Sequence, residues 1–226
     1  MRDLTVPELK EIWDRRNANE SLKSLPPDPR VLQYIGDFPH QARRALDIGC
    51  GNGRHLKQLA EIGWRCTGID WSNEALLQTR DALAGHEMTT TVLNKDFRRM
   101  GFSGNYFHMI LAIDVIHHGR SKDLKRSIAE IKRVKAISGE ALLSLPGLRN
   151  APAQDQAEWI EDQTVILPNG LEVGIPHHFI REEEIGNLFR AFRNVAAERV
   201  VLPMPPGKKP LHKGHENEWF WIRVSG

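Results

Sequence analysis

Ala45-Leu-Asp-Ile-Gly-Cys-Gly-Asn-Gly-Arg54 decides the fold. An apolar run carries one acidic residue, Asp47, and runs into three alternating glycines, Gly49, Gly51 and Gly53, after which a helical pattern begins. Glycine reaches backbone conformations that a Cβ forbids, so the chain turns tightly and a ligand can approach the main chain. The helix start beyond the turn presents unpaired N–H groups and a partial positive charge, a setting as fit for a carboxylate as for a phosphate. Alone, such a turn is a weak signal, because it also serves dinucleotides or no ligand at all.

Outward from this turn, short apolar runs alternate with longer helical patterns, the signature of βαβ units and a parallel sheet. The pattern predicts strands at Arg44 to Ile48, Arg65 to Ile69, Thr89 to Leu93, His108 to Ile113 and Ala141 to Leu145. Helices are predicted to about Ile62, from Asn73 with Ser72 as its N-cap, and from about Lys122 to Lys135. A further helix from about Arg181 to Phe192 leads to a strand at Ala196 to Leu202, parallel to the rest. A closing strand at Trp219 to Val224 returns antiparallel. The fold class is therefore α/β: a Rossmann-like, doubly wound, mostly parallel seven-stranded sheet with an antiparallel last strand. Residues 1–40 read as an N-terminal helical cap with a proline-rich connector, Leu25-Pro-Pro-Asp-Pro29. Residues 148–178 read as an insertion over the active site, where Asn169-Gly170 between two apolar runs predicts a small β-hairpin. The length suits a single domain, 1–226.

Lysine and arginine number 31 against 29 aspartates and glutamates, a formal net charge of +2, so no global field draws the chain to nucleic acid. Any polyanion site has to be local. Cys50 and Cys66 sit in apolar segments and fit a reducing compartment better than a disulfide framework. No apolar run approaches the roughly 18 residues of a membrane span, so no membrane partner is expected and a soluble, cytoplasmic enzyme is the default. Ten histidines invite a metal reading. No Cys, His or carboxylate spacing matches a zinc or facial-triad pattern, however, and neighbours such as His117 and His118 do not readily share one ion. No metal is expected.

Asp70 ends the second predicted strand, where an acidic side chain can accept both hydroxyls of a ribose. A dinucleotide enzyme shares that feature, but the G-x-G-x-G turn with Asn52 and Arg54, preceded by Asp47, lacks the G-x-G-x-x-G spacing. Leu46-Asp-Ile-Gly-Cys-Gly-Asn-Gly-Arg54, Thr67-Gly-Ile-Asp-Trp-Ser72, Lys95-Asp-Phe97 and Ile113-Asp-Val-Ile-His-His118 resemble, in order, the successive motifs of class I S-adenosylmethionine (SAM)-dependent methyltransferases. From Leu46 to His118 they span about a third of the chain. The resemblance implies that Gly49, Gly51 and Gly53 line the methionine and ribose end, with Asp47 part of the same motif, and that Asp70 binds the ribose diol. It implies that Trp71 packs beside the adenine, that Asp96 accepts from the adenine amino group and that Phe97 packs on the ring or offers its N–H. Ala112 would lie near the amino-acid moiety. A turn role for Asp96 and core packing for Trp71 are the plainer alternatives. The chain departs from the family at His108, where the fourth strand usually begins with Asp, a position away from the ligand.

Ligands of open parallel sheets bind beyond the carboxyl ends of the strands. Three segments are expected to overhang that edge. These are the loop after strand four with Asp114, His117 and His118, the insertion ending in His177 and His178, and the loop from about Pro203 to Asn217. Lys208, Lys209, His212, Lys213 and His215 would make the last a local basic lip. Methyl transfer from a sulfonium is an in-line displacement, so holding the nucleophile near the methyl group supplies much of the acceleration. A base is needed only for a protonated acceptor. His117 and His118 are the candidate catalytic residues, because imidazole titrates near neutrality; pinning the loop is the alternative. Trp13, Asp114, His177 and His178 are candidate acceptor contacts. Trp219 and Trp221 share one side of the last strand and belong to the core.

The leading function is SAM-dependent methylation of a small-molecule acceptor, with S-adenosylhomocysteine as product, because the chain carries a cap and an insertion but no separate nucleic-acid module. The turn and the Gly68-Ile-Asp-Trp-Ser72 segment look similar to tellurite-resistance and thiopurine-type methyltransferases. The alternative is a tRNA enzyme, since Val115-Ile-His-His118 and His178-Phe-Ile-Arg-Glu-Glu-Glu-Ile185 resemble stretches of tRNA wobble-uridine methyltransferases and the basic loop suits a phosphate backbone. A third reading is a non-catalytic module that binds SAM. The identity of the acceptor, its methylated atom and the oligomeric state are not legible in these residues.

Overall fold

β1 (Arg44–Ile48) is buried on both faces, as a central parallel strand must be. The computed structural model describes residues 4–38, 44–87, 89–203 and 215–226. Leu46 and Ile48 enter a core shared with Leu143, Leu145 and Phe220 and with Leu124, Ile128 and Ile131 of α6 (Ser121–Val134), whose apolar residues recur at helical spacing. Ala45 enters the opposite core, with Met109, Leu111, Trp221 and Leu56 and Leu59 of α4 (Arg54–Glu61). Each fully buried Leu, Ile or Phe contributes about 1.5–3 kcal/mol. Helices therefore clasp the sheet from both sides.

β1 pairs in parallel with β2 (Arg65–Asp70) and β4 (Phe107–Ala112). β3 (Thr90–Asn94) lies beyond β2, and β5 (Lys135–Pro146) beyond β4. β10 (Asn217–Ser225) runs antiparallel to both β5 and β9 (Asn194–Leu202), so the order is β3-β2-β1-β4-β5-β10-β9 and β9 runs with the first five strands. Seven strands, parallel except the last in sequence, match the predicted fold class. The strand order reverses between β1 and β4, which opens a crevice at their carboxyl ends. Trp221 is buried and Trp219 packs beside it, as the shared face required. Among the described residues no helix is long and apolar enough to cross a membrane.

The N-terminal helices α1 (Val6–Asn17), α2 (Glu20–Lys23) and α3 (Pro29–Asp37) are tied to the half of the sheet that carries the glycine turn by polar contacts. Ser72 Oγ accepts from Ala75 N at 3.1 Å, capping α5 (Asn73–Ala82), and donates to Asp14 Oδ1 at 2.8 Å. Asn52, inside the glycine turn, donates to the carbonyls of Lys23 and Leu25, each at 3.1 Å.

The structure corrects the sequence reading in three places. Asn169-Gly170 is not a hairpin turn. A hairpin does form in the insertion, but it turns at Asp162-Gln163, between β6 (Glu158–Glu161) and β7 (Thr164–Ile166), with Gln163 left-handed at φ 62°. β7 then pairs with β8 (Pro176–His178), and residues 167–175, with Asn169-Gly170 among them, form the longer connection. Pro168 explains this, because it has no N–H to continue a ladder. The helix expected over Arg181 to Phe192 shrinks to a 3-10 turn at Glu182–Glu184 and a single turn, α7 (Ile185–Leu188). Gly186 and Asn187 are poor helix formers, and burial of Phe189 and Phe192 in the core holds the segment instead. β5 is longer than predicted, starting directly after α6. The expected basic lip at Lys208, Lys209, His212 and Lys213 lies outside the described residues.

Candidate active site

Gly49, Gly51 and Gly53 all hold positive φ, 68°, 56° and 76°. The turn is pinned by Gly49 N and Cys50 N, both donating to Ile69 O, and by Thr79 Oγ1 donating to Gly51 O at 2.8 Å. A Cβ on Gly49 would lie 2.4 Å from Val115 Cγ2. Gly49→Ala is therefore expected to cost at least about 2 kcal/mol of stability, from left-handed strain plus the clash. Gly36→Ala, in α3 with open space around it, is expected to gain up to about 1 kcal/mol. Urea titration of both variants checks the pair, and equal effects would refute the steric account.

The crevice between β1, β2 and β4 is lined by Gly49, Gly51, Asp70, Trp71, Phe97 and Asp114, with Trp13 and Arg16 of α1, Lys95, Val115 and His118 among the others. Asp70 Oδ2 accepts from Gly51 N at 3.1 Å and Oδ1 from Ser72 N at 2.9 Å, which aims the carboxylate and leaves each oxygen a further lone pair. Burial raises its pKa, and those amides pull the other way. Trp71 and Phe97 sit 6.4 Å apart at a 32° tilt, with the Arg98 guanidinium 4.7 Å over the Trp71 ring. Together they form an aromatic wall.

Four residues singled out for the cofactor do not line this crevice. Gly53 and Ala112 are buried behind it. Both oxygens of Asp96 accept from Arg98, at 3.0 to 3.1 Å, and Oδ1 also accepts the Arg98 N–H at 2.8 Å, the turn arrangement. Asp47 is 2% exposed with Oδ2 unpartnered, and burial pushes its carboxyl up to about 7, with the Arg54 charge opposing and Asp70 adding.

Beyond Asp114, left-handed at φ 55°, the chain turns so that His117 and His118 stack with ring centroids 3.9 Å apart. His118 Nδ1 bonds Val115 O at 2.9 Å, and the Trp13 ring stands edge-on to His118 at 4.7 Å. His178 N donates to His117 O, which brings the insertion against this loop. His177 Nδ1 bonds Ile175 O and its Nε2 bonds Glu172 Oε2, each at 2.8 Å. Glu172 also receives the Arg16 guanidinium. Burial raises the Glu172 pKa, but bonds from His118 and His177 and the Arg16 charge outweigh it and hold this carboxyl well below the usual range. Burial, with the charges of His118 and His177, pushes the His117 imidazole well below its ordinary value. His178 turns away, its Nδ1 bonded to Thr164 Oγ1 at 2.7 Å. Sequence reasoning missed Arg16, Lys95 and Glu172. Of these only Glu172 gave a signal, as a lone acid in the apolar run Leu171-Glu-Val173, close before the histidine pair.

These residues fit SAM. Gly49 and Gly51 present bare main chain to the crevice, Asp70 suits a diol, the aromatic wall suits an adenine, and the unpartnered buried Asp47 oxygen favours a cationic ligand. The sheet order and the glycine turn at its switch point are those of a Rossmann-like methyltransferase fold. Residues 45–139 match a family model described as a methyltransferase domain.

Over 65 residues the chain is 43% identical to a ubiquinone biosynthesis O-methyltransferase of Burkholderia vietnamiensis, covering 28% of this chain and 27% of that protein. Over 117 residues it is 30% identical to a tRNA U34 carboxymethyltransferase of Aliivibrio fischeri, covering 50% and 35%. The chain thus spans about a quarter to a third of the length of these two relatives. Among solved structures, phosphoethanolamine N-methyltransferase 2 of Haemonchus contortus, in complex with phosphomonomethylethanolamine and S-adenosylhomocysteine, has a TM-score of 0.72. It is 16% identical over 98% of this chain and 60% of that one. The cyclase SpnF has a TM-score of 0.69 at 16% identity, over 100% and 98% of the two chains. These two likenesses concern the fold alone.

Proposed function

We propose that this chain transfers a methyl group from SAM to a small-molecule acceptor. One observation carries the reading. A second groove, bounded by Leu4 and Leu9 on one side and Ile166, Ile175 and Pro176 on the other, shares Trp13, Trp71, Phe97 and His118 with the crevice. An acceptor in that groove meets the cofactor crevice at His118, between the N-terminal helices and the insertion. Bound SAM supplies an electrophilic methyl group on a sulfonium. The chain supplies position: the glycine turn and Asp70 hold the donor, Trp13 and Trp71 wall the acceptor, and His118 stands where the two grooves meet, whereas His117, the other candidate, lines neither. Enclosure between two segments favours a small acceptor over a duplex.

A tRNA acceptor is the second reading, favoured by the relative named for tRNA U34. Calorimetric titration with SAM and with NAD, followed by tritiated-methyl transfer into small-metabolite and bulk-tRNA pools, separates the two. Label in small molecules supports the proposal, label in tRNA replaces it with the second reading, and NAD binding without SAM binding overturns both. His118→Ala is expected to keep SAM affinity within about threefold and to lower turnover by about 100-fold. Unchanged turnover would remove His118 from the chemistry.

A further inference from the structure

His117, His118 and His177, all buried, each offer one nitrogen within 4.8 Å of the others. The first two leave β4 and the third comes from β8, so the trio exists only because the insertion folds back onto the loop after the fourth strand. From this convergence we infer that the chain binds one divalent transition-metal ion between these imidazoles and the Glu172 carboxylate. The inference goes beyond the proposed reaction, since the ion is held whether or not a methyl group moves.

Three features point the same way. His118 and His177 each spend Nδ1 on a backbone carbonyl, Val115 O at 2.9 Å and Ile175 O at 2.8 Å, which leaves Nε2 as the ligand atom. Metal-bound histidines are oriented by that kind of outer bond. Both Nε2 atoms face one oxygen, Glu172 Oε2, at 2.8 Å from His177 and 3.6 Å from His118. Ligands about 2.1 Å from one ion, at angles from octahedral to tetrahedral, stand roughly 3.0 to 3.4 Å apart, and the two observed spacings bracket that range. The other oxygen of Glu172 carries Arg16, so the carboxylate is oriented from behind. The third imidazole, His117, is buried with Nδ1 lacking a partner. Two or three imidazoles with one carboxylate suit zinc, iron or nickel rather than magnesium or calcium, which prefer oxygen ligands. His118 also lines the crevice, so a bound ion would stand at the acceptor end. There it would polarise an acceptor oxygen, nitrogen or sulfur.

Protein stripped with a chelator is titrated calorimetrically with Zn2+, alongside His177→Ala and Glu172→Gln, each checked by thermal melting for an intact fold. One ion per wild-type chain is expected, with binding weakened at least tenfold in both variants. Co2+ is expected to give ligand-field bands in the visible spectrum that His177→Ala loses. No stoichiometric Zn2+ binding by the wild type, or equal binding in wild type and folded variants, overturns the inference. SAM titration of the same stripped protein is read separately, so failure there counts against the methyltransferase reading and not against the metal site.

Discussion

Asp70→Ala is expected to lose SAM binding by roughly 100-fold to 10,000-fold. A carboxylate that accepts from two hydroxyls makes two bonds to a charged group, each of about 1.5–3 kcal/mol, and about 1.4 kcal/mol is a factor of ten in affinity. The position is prepared for this, because Gly51 N and Ser72 N fix the carboxylate at the end of β2 and both oxygens keep room for a donor. Asp70→Asn keeps the size and one acceptor, so it is expected to fall between the wild type and Asp70→Ala. Calorimetry on the folded variants measures both. Unchanged affinity in Asp70→Ala would remove the ribose site from this end of the sheet.

Asp47→Asn is expected to stabilise the cofactor-free protein while weakening SAM binding by more than about tenfold. The Asp47 carboxyl ordinarily titrates at 3.8 and is pushed up to about 7, by burial first, with Asp70 adding and Arg54 opposing. The folded state therefore binds the Asp47 proton more tightly than the unfolded state. As pH rises from about 4 to 7, the unfolded chain releases that proton before the folded one, so this residue's contribution to stability falls across that window and stays low above it. The interval corresponds to about 4 kcal/mol at most. A buried amide recovers only part of it, since it too needs partners. Urea denaturation at pH 4 and pH 8 is the measurement: a gain of about 1 kcal/mol or more at pH 8 that vanishes by pH 4 is expected. A loss at pH 8 would mean that the carboxylate is satisfied in the native protein. A cationic ligand reverses the sign, because it offsets the buried charge, which is why the same substitution is expected to weaken SAM binding.

Much of the fold was legible because its signals are local. A parallel strand buried on both faces reads as a short apolar run, an N-cap such as Ser72 sits at a fixed offset from its helix, and the three glycines must take positive φ wherever they turn. Asp70 was legible for the same reason, being fixed by strand end and turn. The Asp96 contacts were not legible: both carboxylate oxygens accept from Arg98, a pairing that depends on a side-chain rotamer. The hairpin misreading has a similar origin. Asn169-Gly170 favours a tight turn locally, but β7 gains more by pairing with β8, after which Phe179 and Ile180 run on into buried positions.

By itself, then, the sequence determined where the first five strands lie, that they run parallel, and the glycine turn with the acid that ends β2, all set by local patterns within a few tens of residues. Only the tertiary structure decided that Arg16 from α1, Glu172 and His177 from the insertion and His117 and His118 from the end of β4 meet at one place. No spacing encodes that meeting, because it depends on how three separate segments close over the carboxyl edge of the sheet. Burial at that edge then joins the imidazoles and the carboxylate into one hydrogen-bonded cluster, since polar groups removed from water must find partners.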